Sequence, residues 1–125
     1  MREAPRFHPA VAEDLASAAD YYRRTSSDLP SRLRGDFHQT INLLAAFPYL
    51  GRGTFDDYRH VSLRVFPYIV LYRITDDSVR VLAVAHARRD PAWIERMVKG
   101  RARSRLGEVP ITTVLSQEPP VPGSK

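Results

Sequence analysis

Residues 84–97 read VAHARRDPAWIERM. A run of small apolar residues ends in His86, Arg88, Arg89 and Asp90, followed by Pro91 and the only tryptophan, Trp93. An imidazole beside two guanidinium groups could cleave a phosphodiester. His86 would carry the proton, and Arg88 and Arg89 would clamp the phosphate. Arg64 joins this basic edge if the strands pair as set out below. The same groups could instead contact carboxylates on a partner. A purely structural role competes with both: Asp90 caps the next helix, Arg89 pairs with an acidic neighbour, and His86 satisfies a backbone group. For Asp90 and Trp93 the structural role is the stronger reading, with Trp93 sealing that helix to the sheet. No ligand spacing around His8 or His60 recommends a metal. The GRG at Gly51–Gly53 is too short for a phosphate cradle and reads as a turn, so no cofactor is expected.

These groups need a scaffold, and apolar periodicity supplies one. Pro5 to His8 can form a short strand, after which Pro9 suits the first turn of a helix. From Ala10 to about Arg24, Val11, Leu15, Ala18, Ala19 and Tyr22 recur at helical spacing. SSDLP interrupts the pattern; Ser27 or Asp28 can cap a second helix with Pro30 in its first turn. Leu29, Leu33, Phe37, Ile41 and Leu44 mark its buried stripe, and the short break makes the two helices an antiparallel pair. Pro48 stops the second helix. The period then changes to two over Tyr58 to Val65, a half-buried strand. Tyr68–Thr75 and Ser78–His86 follow as a hairpin around Asp76-Asp77. A two-residue turn sets Ile74 opposite Val79, Tyr72 opposite Val81 and Val70 opposite Ala83. The other face then carries Ile69, Leu71, Leu82 and Val84. Both faces are apolar, so both must be covered: one by the helix pair, the other by the short final helix or by a partner. That final helix starts at Asp90-Pro91 and ends at Gly100. Arg59 heads an apolar strand face and could pair with Glu13, Asp14 or Asp20, whereas Tyr21, Tyr22, Tyr68 and Tyr72 fall in core-like patterns.

The expected fold is α+β: a small twisted antiparallel sheet with an N-terminal helix hairpin on one face and a short C-terminal helix. The domain spans residues 1–100, and residues 101–125 read as a basic, Pro-rich, disordered tail. The length of 125 residues suits one domain with a modest core. With no cysteine there is no disulfide or thiolate site. The N-terminus lacks a signal-peptide run, and no segment approaches the roughly 20 apolar residues of a membrane span. A cytoplasmic protein without membrane association is expected. The net charge is +5, and all the cations but Lys99 and Lys125 are arginine. Arginine's planar fork grips phosphate or carboxylate, so an acidic partner is implied.

The ordered set DLASAADYY, FPYLG, YRHVSLRVFPYIVLYRI and VLAVAHARRDPAW resembles the RelE/ParE superfamily, the toxins of bacterial type II toxin–antitoxin pairs, over roughly residues 7 to 97. The resemblance implies a twisted sheet under a helix hairpin and a cognate antitoxin that wraps the toxin with an acidic or amphipathic segment. The apolar face around Ile69, Leu71, Leu82 and Val84 is then a natural contact, with Arg64, His86, Arg88 and Arg89 at its basic end. RelE-like members cut mRNA on the ribosome and usually carry an arginine after the tyrosine that opens the hairpin; here Ile69 follows Tyr68. They often end with a catalytic Tyr or His, where this chain offers Trp93. FPY…YR and HxRRDP are closer to ParE-like members, which poison DNA gyrase where a target is known. The resemblance therefore implies a ParE-like toxin acting on gyrase. One alternative is a ribosome-dependent mRNA endonuclease using His86, Arg88 and Arg89. Another is a non-toxic relative that only binds its partner.

Overall fold

The computed structural model describes residues 3–116. The elements run β1 (Arg6–Phe7), α1 (Ala10–Arg23), α2 (Leu29–Ala46), a 3-10 turn (Pro48–Leu50), β2 (Arg52–Gly53), β3 (Arg59–Ser62), β4 (Tyr68–Thr75), β5 (Ser78–His86), α3 (Pro91–Ala102) and α4 (Ile111–Leu115). The strands form one sheet in the order β1-β5-β4-β3-β2. β1 lies parallel to β5 and the other neighbours are antiparallel, so the α+β sheet is mixed rather than purely antiparallel. The parallel pair is possible because everything from α1 to β4 intervenes, far more chain than a parallel crossover needs.

Local chemistry explains several boundaries. Asp76 and Asp77 both take positive φ, at 52° and 63°, the conformation of a two-residue hairpin turn between twisted strands. Asp90 Oδ1 accepts the Ala92 N–H at 3.2 Å and starts α3, with Pro91 in the first turn. Pro48 lies just beyond the end of α2. β3 stops at Ser62, short of the predicted Val65, because α2 intervenes. The buried Asp36 carboxylate accepts the backbone N–H groups of Arg64, Val65 and Phe66 at 3.1, 2.8 and 2.9 Å. These donors are thereby drawn out of any ladder.

The helix pair covers one face of the sheet: Leu15, Ala19, Leu33, Phe37 and Ile41 pack with Val70, Tyr72 and Val81. On the other face Leu71, Leu82, Ala83 and Ala85 are buried with Ile94 and Val98 of α3. Register corrects one expectation. Tyr72 pairs with Val81 but Leu71 pairs with Ala83, so Leu82 is an extra residue and Val70 meets Val84 rather than Ala83. This bulge turns Val84 to the helix-pair side, and puts Ala83 and Ala85 where Val84 was predicted.

The bulge sits where β5 loses its outer neighbour, since β1 pairs only with Arg80 and Val81. Side chains take over from there. The Val84 N–H donates to Asp14 Oδ2 at 3.0 Å, and the Leu82 carbonyl accepts from Arg101 at 3.0 Å. Arg101 and Asp14 close the arrangement with paired bonds of 2.6 and 2.8 Å. One fork–carboxylate pair thus ties α1, β5 and α3 together. α3 runs through Gly100 to Ala102, so Gly100 does not end it.

A disordered tail from Arg101 does not describe residues 101–116. Phe7 and Val109 exchange backbone hydrogen bonds of 2.9 and 2.8 Å on the open edge of β1. Arg80 pairs with Glu108 at 2.8 Å, and Val114 of α4 is fully buried in the main core. A bare strand edge and an apolar gap beside α1 give this stretch its contacts. The tail's remainder, residues 117–125, lies outside the described residues. No helix among the described residues is long and apolar enough to cross a membrane.

Candidate functional site: a basic, aromatic groove

α1, the far end of the hairpin and α3 enclose an open groove of about 740 Å³. Its walls carry Tyr21 and Tyr22 from α1, Tyr68 from β4, His86 from β5, and Arg89 and Trp93 from the turn and α3. Tyr68 is paired with His86 across the hairpin, and their rings meet edge to face at 5.2 Å. Tyr22 stands edge-on to Phe66 at 5.0 Å and to Tyr68 at 6.3 Å. The cluster is held from below by the core and from the side by the hairpin register.

The basic turn is ordered by its own backbone. His86 Nδ1 accepts the Arg88 N–H at 3.1 Å, which puts the proton of the neutral ring on Nε2. The His86 carbonyl accepts the Arg89 N–H at 3.0 Å. The Arg89 guanidinium lies 4.1 Å from the centre of the Trp93 ring, a cation–π contact. Trp93 is only half-buried, so it is a stacking wall as well as a seal. Burial pushes the Tyr22 phenol above its usual range, aided by Tyr21; burial also raises Tyr68, aided by Tyr22. Both phenols are therefore neutral donors at neutral pH rather than bases.

Of the residues singled out from sequence, His86, Arg89 and Val84 meet in this groove, with Val84 reaching it through the bulge. Arg88 is exposed on the same turn but is not part of the wall. Arg64 does not line this groove: it lines a second one between α2 and β3, because its segment is anchored to Asp36. Leu71 and Leu82 are buried beneath α3, and Ile69 packs half-buried against the same cluster. In the chain itself, α3 therefore covers the face offered to a partner.

Arg59 reaches no acid of α1; it donates to the Gly51 carbonyl at 2.6 Å and lies 5.0 Å from the Tyr49 ring centre. Tyr72 is core as expected, its hydroxyl donating to the Pro48 carbonyl and accepting the Gly51 N–H, both at 2.8 Å. Tyr22 and Tyr68 pack against the core as their pattern predicts and also line the groove, whereas Tyr21 is 62% exposed and only lines it. The clue lay in the sequence: adjacent tyrosines on a helix cannot both face one stripe. Among the described residues no cluster of three His, Asp or Glu could hold a metal ion.

Comparison with known proteins then decides the family. The model described as "ParE toxin of type II toxin-antitoxin system, parDE" matches residues 6–91. The chain belongs to the ParE toxin family. It is also 35% identical over 102 residues to Toxin ParE2 of Mycobacterium tuberculosis, in strains CDC 1551 / Oshkosh and H37Rv. That match takes in 81% of this chain and 97% of the relative. The ParE match includes the whole sheet, the helix pair and the His86–Arg89 turn, and it stops where α3 begins.

Proposed function

We propose that this ParE-family chain inhibits DNA gyrase by binding it, and that a cognate antitoxin with an acidic or amphipathic segment neutralises it. The observation that carries the reading is the state of the basic turn. Phosphodiester cleavage needs a base, an acid and cations converging on one phosphate. In this groove Arg89 is engaged with the Trp93 face, the Tyr22 and Tyr68 phenols are held neutral, and Arg64 belongs to another groove. The wall's carboxylate, Asp14, is taken up by Arg101 and the Val84 N–H, so His86 has no free carboxylate beside it to complete an acid–base pair. An aromatic floor with a guanidinium at its rim suits recognition of a protein surface. Pulse-labelling after induction of the chain alone in a bacterial host tests the reading. Thymidine incorporation should fall before amino-acid incorporation. The reverse order would favour mRNA cleavage through His86 and Arg89, and no fall in either with folded protein present would reduce the chain to a binding relative.

A further inference from the structure

The second groove, of about 560 Å³, runs between the C-terminal half of α2 and the β2–β3 edge, away from the His86 turn. On its helix side the groove is lined by the buried Thr40 and by Leu43, an exposed apolar residue where a surface helix should be polar. α2 buries Leu33, Phe37, Ile41 and Leu44, yet Leu43 is 50% exposed and Leu50, just beyond, is 49% exposed. Phe47 and Tyr49 extend the same stretch of chain and are also largely exposed. Four large exposed apolar side chains within eight residues of chain, two of them lining the groove, are the kind of surface that partners use.

The rim identifies the partner's chemistry. Arg52 and Arg64 line the groove and are exposed, and no carboxylate is in its wall. Among the described residues neither has an ion-pair partner. Four other arginines are engaged, Arg80 with Glu108, Arg101 with Asp14, Arg59 with carbonyls and Arg89 with Trp93, whereas the cations at this groove face no carboxylate in its wall. A second copy of the chain fits poorly, because a two-fold contact would bring these uncompensated cations of a +5 chain together. An acidic amphipathic segment fits both features, with apolar side chains against Leu43 and Leu50 and carboxylates against Arg52 and Arg64.

We infer that the α2–β3 groove docks the acidic amphipathic segment of the antitoxin, leaving the His86 groove for the target. This assignment rests on the function proposed above, and its test is independent of gyrase. The probe is a fluorescent helical peptide with leucines at i, i+3, i+4 and i+7 flanked by glutamates, compared with its lysine counterpart, titrated into the full chain. The glutamate peptide should bind at least about tenfold more tightly, and more weakly as salt rises. Leu43→Asp and the double variant Arg52→Glu/Arg64→Glu should each weaken it about tenfold or more, whereas Arg89→Ala should not. All these positions are exposed, and circular dichroism checks that the variants fold. Equal binding of both peptides, unchanged binding by the α2–β3 variants, or loss in Arg89→Ala would each overturn the assignment. If the groove passes and pulse-labelling shows no inhibition, the toxin reading fails while the docking site stands.

Discussion

A single-atom change at Asp36 would reach three backbone hydrogen bonds at once. The residue is 6% exposed, and its carboxylate accepts three successive backbone N–H groups, one on Oδ1 and two on Oδ2. Replacing it with Asn keeps the shape, and the amide oxygen can stay on Val65 and Phe66. The amide nitrogen then faces the Arg64 N–H, donor against donor. The charge that strengthened the two retained bonds is also lost. A hydrogen bond to a charged group contributes about 1.5–3 kcal/mol, and a buried donor left unpaired costs about 1–3 kcal/mol. One lost bond and two weakened ones place Asp36→Asn at about 3 kcal/mol of destabilisation. Asp36→Ala, which strands all three donors, should cost about 4 kcal/mol. Urea unfolding followed by circular dichroism measures both. The loop 63–67 should also lose amide-exchange protection at Arg64 before Phe66. An Asp36→Asn variant within about 0.5 kcal/mol of wild type, inside the range of neutral surface changes, would refute the reasoning.

Three further outcomes follow from the packing. Asp14→Ala and Arg101→Ala should each cost about 3 kcal/mol, because either strands its partner and a backbone group of β5. In a double-mutant cycle the pair should fall well short of additive. Gly51→Ala should cost about 1–3 kcal/mol in urea melts, since a Cβ would meet the Tyr72 hydroxyl at 2.6 Å and the His60 carbonyl at 2.7 Å. Burial, then Arg101, lowers the pKa of His8 from its usual 6.5, and its Nδ1 accepts the Ala10 N–H at 3.0 Å. The unfolded chain therefore takes up that proton first as pH drops. Stability from this group is complete above pH 6.5 and is lost as pH falls through the lower folded value. Wild type should thus lose more stability than His8→Gln between neutral and mildly acidic pH; parallel losses would remove His8 from the pH response.

Elements with local punctuation were legible in the sequence. Pro9, Pro30, Asp76-Asp77 and Asp90-Pro91 each act within a few residues, and the helices, hairpin and α3 start close to where they were read. What escaped depends on contacts distant along the chain. A strand that is apolar on both faces carries no marker of register, so nothing local announced the Leu82 bulge or the turning of Val84. Asp36 looked like one polar residue beside a helical stripe, and its three partners lie 28 to 30 residues away. That link both shortened β3 and carried Arg64 off the predicted basic edge. Val109 and Val114 sit in a stretch too short and too Pro-interrupted for periodicity, and they are ordered by the open β1 edge and the core. In the groove, His86, Arg89 and Trp93 were legible as neighbours in sequence. The tyrosine wall was not, because α1 meets the end of the hairpin only in the folded chain.

Inhibition of purified DNA gyrase in a supercoiling assay tests the central claim most directly. The full chain should inhibit supercoiling in a dose-dependent manner. Arg89→Glu should abolish inhibition by reversing the groove's charge, and His86→Ala should retain much of it, because no proton is transferred. No inhibition by folded wild-type chain, or loss of all effect in His86→Ala alongside mRNA cleavage by the wild type, would contradict it.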